Sequence, residues 1–262
     1  MGKPGKPTAS STMKLAKLNG QAEIFFSIQG EGKNLGQPSI FIRSSLCNLH
    51  CVWCDTDYTW NWEGTKFLHK KSANPGYSKF KKSENIVEMQ VAEIAEIVRS
   101  FDCRNLVLTG GEPLLQQDDW AELMAYLRKI DHRYRFEVET NGTLVPNPSF
   151  ENWVNQYNVS PKLENSNNPA KIREKMDAYS FFSKNAKSVF KFVISAEKDL
   201  AEVLDLVKKY AIEPEKIYLM PEGTTGAELK NKEIWLVEMC KKYGFNYTSR
   251  LHILIYGDKR GV

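Results

Sequence analysis

Two repeating patterns of apolar and polar residues run along the chain. Short apolar runs predict buried strands, and longer stretches with apolar residues on one face predict amphipathic helices. The predicted strands cover residues 39–43, 105–108, 135–139, 155–159, 189–194 and 216–220. The predicted helices cover residues 91–101, 116–130, 199–210 and 228–243. Strands therefore alternate with helices along most of the chain.

This alternation predicts the fold class. Parallel neighbouring strands need a crossover connection, which is usually a helix, so the order is typical of an α/β protein. The six predicted strands are too few for a closed eight-stranded barrel. We therefore expect a partial (open) parallel β/α barrel of about six strands. A chain of 262 residues, 42% of them apolar, can bury the core of one such domain.

Two segments depart from the pattern. Residues 1–20 begin with a run rich in Gly, Pro, Ser, Thr and Lys and are predicted to form a flexible N-terminal tail. Residues 21–262 then form a single domain. Residues 65–83 hold six lysines and no acidic residue. This Lys-rich insertion is either a solvated surface or a docking surface for an acidic protein.

Composition narrows the classes of function. The formal net charge of +4 is too small to indicate nucleic-acid binding, and no zinc finger, helix-turn-helix or RNA-binding signature is present. No apolar run is long enough to span a membrane, and the chain begins with no apolar signal segment. The odd count of five cysteines argues against a disulfide framework. We expect a cytoplasmic protein in a reducing compartment.

Three of the cysteines lie close together, at Cys47, Cys51 and Cys54. Three thiolates on one loop could hold three irons of a 4Fe-4S cluster and leave the fourth iron free for a cofactor. The same thiolates, together with His50, could instead hold zinc in a closed Cys3His site. The spacing by itself leaves both interpretations open.

A second motif follows the predicted strand at residues 105–108. The strand opens directly into Thr109-Gly110-Gly111-Glu112-Pro113. Two adjacent glycines let bare backbone approach a ligand, and Glu112 offers a carboxylate to an ammonium group. Alone, this segment could equally be a tight strand-to-helix turn without a ligand.

Together the two motifs resemble the signature of radical S-adenosylmethionine (SAM) enzymes. Further segments narrow the resemblance, namely residues 25–32, 36–38, 40–43, 55–58, 139–143, 160–162 and 252–262. Their order is similar to that of the 7-carboxy-7-deazaguanine synthase family. The resemblance extends from about residue 22 to residue 262.

The resemblance implies a lyase that contracts 6-carboxy-5,6,7,8-tetrahydropterin to 7-carboxy-7-deazaguanine with loss of ammonia. Such a reaction belongs to 7-deazapurine (queuosine-type) biosynthesis, a tRNA modification pathway. The implied cofactors are a 4Fe-4S cluster, S-adenosyl-L-methionine and Mg2+, with the radical generated on the cofactor and no catalytic side chain. The implied partners are flavodoxin or ferredoxin as reductant and a second copy in a homodimer.

The resemblance also implies roles for individual residues. Cys47, Cys51 and Cys54 would ligate the cluster, and Thr56 would ligate magnesium. The residues implied in cofactor binding are Trp53, Cys54, Asp55, Gly110, Gly111, Glu112, Ser160, Pro161, Lys162, Met220, Pro221, Glu222 and Gly223. The residues implied in substrate binding are Ile28, Gln29, Gly30, Arg43, Thr109 and His252. Glu139 and Asn141 would touch the ribose or methionine, or serve only as turn residues.

Several of these residues also have ordinary structural interpretations. Thr56 could cap a helix or turn, Arg43 could be a solvated strand end, and His252 could be a packed residue of an apolar carboxyl-terminal strand. Two rival functions remain at this point. Another short radical enzyme, such as a glycyl-radical activase, shares the cysteine loop, which spans residues 47–54 here. A zinc-stabilised binding module would not be an enzyme at all.

Overall fold

The computed structural model describes residues 12–262. Its strands are β1 (Thr12–Leu18), β2 (Gln21–Ala22), β3 (Ile24–Ile28), β4 (Pro38–Ser44), β5 (Ile86–Gln90), β6 (Asn105–Gly110), β7 (Arg135–Thr140), β8 (Gln156–Val159), β9 (Ser188–Ile194), β10 (Ile217–Pro221) and β11 (Asn246–Tyr247). Its α-helices are α1 (Lys82–Asn85), α2 (Val91–Arg99), α3 (Gln117–Ile130), α4 (Pro148–Glu151), α5 (Ala170–Arg173), α6 (Met176–Lys184), α7 (Asp199–Tyr210), α8 (Gly226–Tyr243) and α9 (Leu251–Tyr256).

These strands form one sheet in the order β11-β10-β9-β8-β7-β6-β4-β1-β2. All neighbours from β4 to β11 are parallel. Strands β1 and β3 pair antiparallel with β4, and β5 pairs antiparallel with β1. The outermost strands β11 and β2 do not pair with each other in the described part of the chain. The predicted open, parallel β/α architecture is confirmed, with each predicted strand present within three residues at either end.

The core lies between the sheet and its helices. Every residue of β9 is buried, because helices and loops cover both faces of a parallel sheet. Helix α2 buries Val91, Ile94, Ala95 and Val98, which recur at helical spacing on one face. Parallel strands end at the same edge of the sheet, so the loops that follow β4, β6, β7, β8 and β10 meet there. None of the described helices is long and apolar enough to cross a membrane.

The predicted flexible tail is wrong for its last part. Residues 1–11 lie outside the described part of the chain, but Thr12–Leu18 is strand β1. Five of its residues pair with β5, and Met13, Leu15 and Ala16 are fully buried. The alternation that places Met13 and Leu15 on one face spans too few residues to stand out beside the polar composition that precedes it.

The predicted carboxyl-terminal strand is also wrong. The segment forms helix α9, which buries only Ile253 and ends at Tyr256, before Gly257, where φ is +69°. The backbone N–H of Leu251 donates to the Gly30 carbonyl at 2.9 Å, which brings this helix back over the sheet edge. An apolar run of five residues cannot be assigned to strand or helix by periodicity alone.

Candidate functional site

The cysteine loop leaves the end of β4 and lines a cavity of about 260 Å3. Cys47, Cys51 and Cys54 all lie on its wall, and all three are free thiols. Burial raises the pKa of each thiol, that of Cys51 to about 12. Buried thiols need a positive centre before they ionise. Iron supplies one, so this donor set fits an iron-sulfur cluster.

Two segments hold the loop from opposite sides. On one side, the Val52 N–H donates to the Ser166 carbonyl at 3.0 Å. On the other side lies a group that we call the clasp, formed by Phe67, His69 and Lys70 of the Lys-rich insertion. The Lys70 N–H donates to the Val52 carbonyl at 2.6 Å. The loop is therefore fixed by protein contacts that involve no metal.

His69 is the buried centre of the clasp, with 3% of its surface exposed. Its Nδ1 accepts the Lys71 N–H at 3.1 Å, so the ring proton lies on Nε2. Nε2 then donates to the carbonyl of Cys54 at 2.7 Å. The Lys-rich insertion is thus tied to the backbone of a predicted cluster ligand.

The His50 ring does not complete a set of zinc ligands. It stacks on Phe67, with ring centroids 3.4 Å apart, and meets Trp60 edge-on. Within residues 12–262, no three His, Cys, Asp or Glu side chains converge closely enough to hold a single metal ion. The ligands of a 4Fe-4S cluster bind different irons and stand farther apart. The geometry therefore does not support the Cys3His alternative.

The segment at residues 109–113, which we call the glycine turn, packs directly on the cysteine loop. The Gly111 N–H donates to the Ser44 carbonyl at 3.1 Å, and the Glu112 N–H donates to the Leu46 carbonyl at 2.8 Å. A Cβ on Gly110 would stand 2.1 Å from the Ser44 oxygen, and one on Gly111 would stand 2.0 Å from the Leu46 oxygen. Only glycine allows this approach, and it brings the two motifs onto one wall.

Glu112 does not lie on the cavity wall. It is fully buried, and its carboxylate accepts hydrogen bonds from Leu114 N–H, Thr140 Oγ1 and Asn141 N–H at 2.7–3.0 Å. Burial raises its pKa. The expectation that this carboxylate is offered to an ammonium group is not met, because it instead ties the turn after β6 to the end of β7.

Most of the other predicted site residues converge on the cavity. Those on its wall are Ile28, Gln29, Gly30, Arg43, Trp53, Asp55, Thr56, Thr109, Gly110, Gly111, Glu139, Asn141, Ser160, Lys162, Met220, Glu222 and His252, besides the cysteines. Pro161, Pro221 and Gly223 are not on the wall, although their chain neighbours are. The ends of seven strands, or the segments that follow them, therefore contribute to a single site.

Thr56 lies beside the cysteine loop, with its Oγ1 3.5 Å from the Cys54 sulfur. It stands at the start of a short 3-10 helix, Asp57–Thr59, but its side chain makes no capping hydrogen bond. The capping alternative is therefore not observed. Thr56 is on the cavity wall, where its hydroxyl could serve a hard cation that takes oxygen ligands.

A charged cluster forms another part of the cavity wall, and the sequence pattern identified it only in part. Lys191, in the middle of β9, forms ion pairs with Glu31 at 2.6 Å and Glu139 at 2.7 Å. Arg250 forms ion pairs with Glu31 and Asp55. The signal that could have found Lys191 is a single charge inside an otherwise apolar strand.

Gln29 is held by this cluster and is only 3% exposed. Its Nε2 donates to Glu137 and, at 3.1 Å, to Glu139, while its Oε1 accepts the Glu31 N–H at 3.2 Å. The expectation that the amide offers a free donor and acceptor to a substrate edge is therefore not met. Burial and the nearby charge of Glu139 raise the pKa of Glu137 to about 7.

Arg43 is not a solvated strand end. Its Nε donates to Glu23 at 2.9 Å, and Glu23 also accepts hydrogen bonds from Tyr58 and Arg260. The guanidinium of Arg260 lies 3.4 Å from the centroid of the Tyr58 ring. Residues 258–262 thereby form part of the cavity wall. Glu23, Tyr58 and Arg260 were not predicted.

His252 lies on the wall against the segment predicted to meet the substrate. A Cβ on Gly30 would stand 2.1 Å from its Nδ1, and its Nε2 lies 3.8 Å from a Glu31 oxygen. Burial lowers the pKa of His252. The residue is thus part of the cavity and not of the core.

Comparisons with known proteins identify relatives along nearly the whole chain. A family model described as the Radical SAM superfamily matches residues 41–221. The 7-carboxy-7-deazaguanine synthase of Pyrobaculum aerophilum is 36% identical over 243 residues, which cover 91% of this chain and 95% of that protein. The enzyme of the same name from Halobacterium salinarum is 32% identical, with 96% of this chain and 98% of that protein covered.

Two solved structures share the fold. The crystal structure of QueE from Escherichia coli has a TM-score of 0.64 at 23% identity, covering 92% of this chain and 95% of that one. The structure of Streptococcus suis SuiB bound to S-adenosylmethionine has a TM-score of 0.51 at 12% identity, covering 83% of this chain and 54% of that one.

Proposed function

We propose a reaction from the premise that this chain belongs to the radical SAM superfamily and, within it, to the 7-carboxy-7-deazaguanine synthase family. The reaction is the contraction of 6-carboxy-5,6,7,8-tetrahydropterin to 7-carboxy-7-deazaguanine with loss of ammonia, in 7-deazapurine biosynthesis. The observation that carries the proposal is the single cavity on which the three thiols, the glycine turn and the charged cluster meet. A glycyl-radical activase would act on a protein backbone and would not need the charged cluster.

The residues of the thiol side would hold the cofactors. Cys47, Cys51 and Cys54 would ligate a 4Fe-4S cluster, and Thr56 would be an oxygen ligand of Mg2+. When bound, the cluster and S-adenosylmethionine supply the radical chemistry that acts on the pterin. The backbone of the glycine turn would lie against S-adenosylmethionine, together with Trp53, Asp55, Ser160, Lys162, Met220 and Glu222.

The charged side suits the pterin. Its 2-amino and ring N–H groups donate hydrogen bonds, which the carboxylates of Glu31 and Glu139 can accept. Its carboxylate suits the planar fork of Arg43. Lys191 holds both glutamates in place through ion pairs, and its charge helps to keep the pKa of Glu31 well below its usual value. The task of these side chains is to fix the pterin in one orientation.

The decisive experiment is anaerobic reconstitution followed by an assay with reductant, S-adenosylmethionine, Mg2+ and the tetrahydropterin. We expect 7-carboxy-7-deazaguanine in excess of cofactor consumed. Cys54→Ser should abolish product, whereas Cys240→Ser, at a buried thiol in α8, should retain it. Formation of 5'-deoxyadenosine without that product would contradict the substrate assignment. Zinc without labile sulfide would contradict the radical chemistry.

The Lys-rich insertion suits an acidic reductant. Lys66, Lys71 and Lys82 form no ion pair among the described residues, whereas Lys70 and Lys81 pair with glutamates. The insertion contacts the cysteine loop at His50, Val52 and Cys54, so a protein bound to it would lie near the cluster. Flavodoxin or ferredoxin, attracted by the positive charge, is therefore part of the proposal.

The reductant surface can be tested by replacing Lys66, Lys71 and Lys82 with Gln. Turnover supported by flavodoxin or ferredoxin should fall several-fold and lose much of its salt dependence, while dithionite-supported turnover should not change. A matched triple variant at Lys129, Lys184 and Lys208 uses exposed lysines in the last turns of α3, α6 and α7, at the opposite edge of the sheet. Equal slowing with both reductants would exclude the docking role.

Helix α9 supports a homodimer as a further part of the proposal. Leu254, Ile255 and Tyr256 are 49%, 51% and 38% exposed and form a continuous apolar stretch. Sedimentation should show a dimer at micromolar concentration, and Ile255→Glu should shift it toward monomer. A wild-type monomer at those concentrations would contradict this part. The five free thiols suit the cytoplasm, which we propose as the location.

A further inference from the structure

Asn168 reaches the cysteine loop from a distant part of the chain. It follows a short 3-10 helix, Glu164–Ser166, in the loop after β8. Its Nδ2 lies 3.3 Å from the Cys51 sulfur, and its Oδ1 lies 2.9 Å from the backbone nitrogen of His50. The side chain is well buried, since only 7% of the residue is exposed. One amide thus contacts both a predicted cluster ligand and its neighbour.

The orientation of this amide follows from its partners. The His50 N–H can only donate, so the atom that faces it must be the amide oxygen. The NH2 group must then face the Cys51 sulfur. Its second hydrogen is used by Ser166, whose Oγ and carbonyl oxygen lie 3.1 and 3.4 Å from Nδ2. One hydrogen of the NH2 group is therefore available to the Cys51 sulfur, and the other is available to Ser166.

The backbone of Asn168 is held in place by Arg173 and Ser166. The buried guanidinium of Arg173 donates to the Asn168 carbonyl at 3.0 Å and to the Lys162 carbonyl at 3.2 Å. The Asn168 N–H is held by the Ser166 hydroxyl at 3.3 Å. The amide is therefore held in place before any cofactor binds, and it loses little conformational entropy when it donates to sulfur.

We propose that Asn168 is a positioning residue that tunes the cluster through the sulfur of Cys51. The inference rests on the cluster assigned under the proposed function. The relevant step is the acceptance of one electron, from a low-potential donor such as dithionite, which takes the cluster from the 2+ to the 1+ state. A hydrogen bond to a ligand sulfur stabilises the added negative charge. Asn168 therefore makes the cluster easier to reduce.

Two variants separate this role from that of holding the loop. Asn168→Asp keeps an acceptor for the His50 N–H but has no N–H for the sulfur. Asn168→Leu has nearly the same size and removes both groups without adding charge. Asn185→Leu is the matched control, because Asn185 also bridges two partners through its amide, but at the entry to β9, at the opposite edge of the sheet.

The measurement is a redox titration of the reconstituted clusters, followed by electron paramagnetic resonance, with iron and labile sulfide counted first. We expect normal clusters with a lower midpoint potential in both Asn168 variants. At the potential that half-reduces the wild type, the ratio of reduced to oxidised cluster should fall by at least about threefold. The Asn185 control should match the wild type.

The remaining outcomes are distinct. Loaded clusters with unchanged potential in both Asn168 variants would overturn the inference. So would failure of both to load while the control loads, because Asn168 would then act only by holding the loop. A wild-type protein that takes up no iron and sulfide would overturn the proposed function itself.

Discussion

Gly111 is the residue at which the two motifs of the site meet. Its missing side chain lets the Leu46 carbonyl approach to a distance that no Cβ permits. The backbone on both sides is hydrogen-bonded, so neither can move away without losing a bond. The geometry of the thiols therefore depends on a residue that has no side chain.

We predict that Gly111→Ala destabilises the protein by about 2–4 kcal/mol and greatly reduces iron loading, because the added Cβ meets backbone. Denaturant unfolding and iron content measure the two effects. Gly226→Ala is the control, since its Cβ would meet only Leu254 at 3.7 Å and alanine is favoured in a helix. A Gly111 variant as stable as this control would show that the contact is not rigid.

The raised pKa of Glu137 predicts that the stability of the protein depends on pH. Its pKa is raised from the ordinary value of 4.5, which the unfolded chain retains, to about 7 in the folded protein. Between these two values the folded state keeps a proton that the unfolded state has lost. The stability from this group is full below pH 4.5 and is lost as the pH rises through 7. Glu137→Gln should remove this pH dependence, so that the free energy of unfolding falls by roughly 1–3 kcal/mol less over this range than in the wild type.

Urea unfolding between about pH 5 and pH 8 measures this effect. Glu84→Gln is the control, because Glu84 is exposed at the surface. Parallel stability curves for the wild type and the Glu137 variant would contradict the assignment of the slope to Glu137.

At this scale, local spacing explains what could be predicted. The thiols lie within eight residues and the glycine turn within five, so both motifs can be recognised from the sequence alone. Lys191 and Asn168 contact partners more than 100 positions away, and no local pattern encodes such pairs. Glu112 was misjudged because a carboxylate in a motif looks the same whether it faces a ligand or, as here, a buried backbone N–H.

At the scale of elements, the clasp shows that an inserted segment can belong to the site. Composition identified residues 65–83 by their lysines, but Phe67 and His69 make the structural contacts. They are ordinary residues between charged ones, and their partners lie in the preceding loop. The segment that composition marked by its charge is thus held to the site by an aromatic and an imidazole side chain.

We predict that His69→Leu lowers stability by about 1–3 kcal/mol, because it leaves the Cys54 carbonyl and the Lys71 N–H without partners. Bound iron should also be lost faster on exposure to a chelator. Leu68→Ala serves as the control, because this neighbouring residue is 68% exposed. Equal iron retention in both variants would mean that the clasp does not steady the loop.

The strands that were predicted and those that were missed differ in their environment. The six predicted strands belong to the parallel part, which is covered on both faces and therefore reads as continuous apolar runs. Strands β1, β3 and β5 pair antiparallel at one side of the sheet. Their burial is partial, as in β3, where Ser27 alone is buried, so the apolar signal is weaker.

At the scale of the whole molecule, the sheet carries the site on one edge. Strand β4 pairs with β6 on one side and with β3 and β1 on the other. The cysteine loop leaves this doubly paired strand, and its own backbone bonds to Thr59 and Ser166. None of these contacts requires iron.

We predict that the protein folds cooperatively without iron. Removal of iron by a chelator should leave the far-ultraviolet circular dichroism nearly unchanged. The melting temperature should fall only as far as the lost binding free energy of the cluster requires. A zinc-dependent fold would instead collapse. Loss of helical signal together with iron would contradict this prediction.

The doubly paired strand beneath the cysteine loop also bears on what happens after damage. Oxygen destroys exposed iron-sulfur centres, and a protein whose fold depended on the centre would then be degraded. Here the hydrogen bonds of Leu46 and Val52 would survive the loss, and the three thiols would still line the cavity. An inactivated molecule should therefore be repairable, so that a cell could restore activity with fresh iron and sulfide and without new protein synthesis.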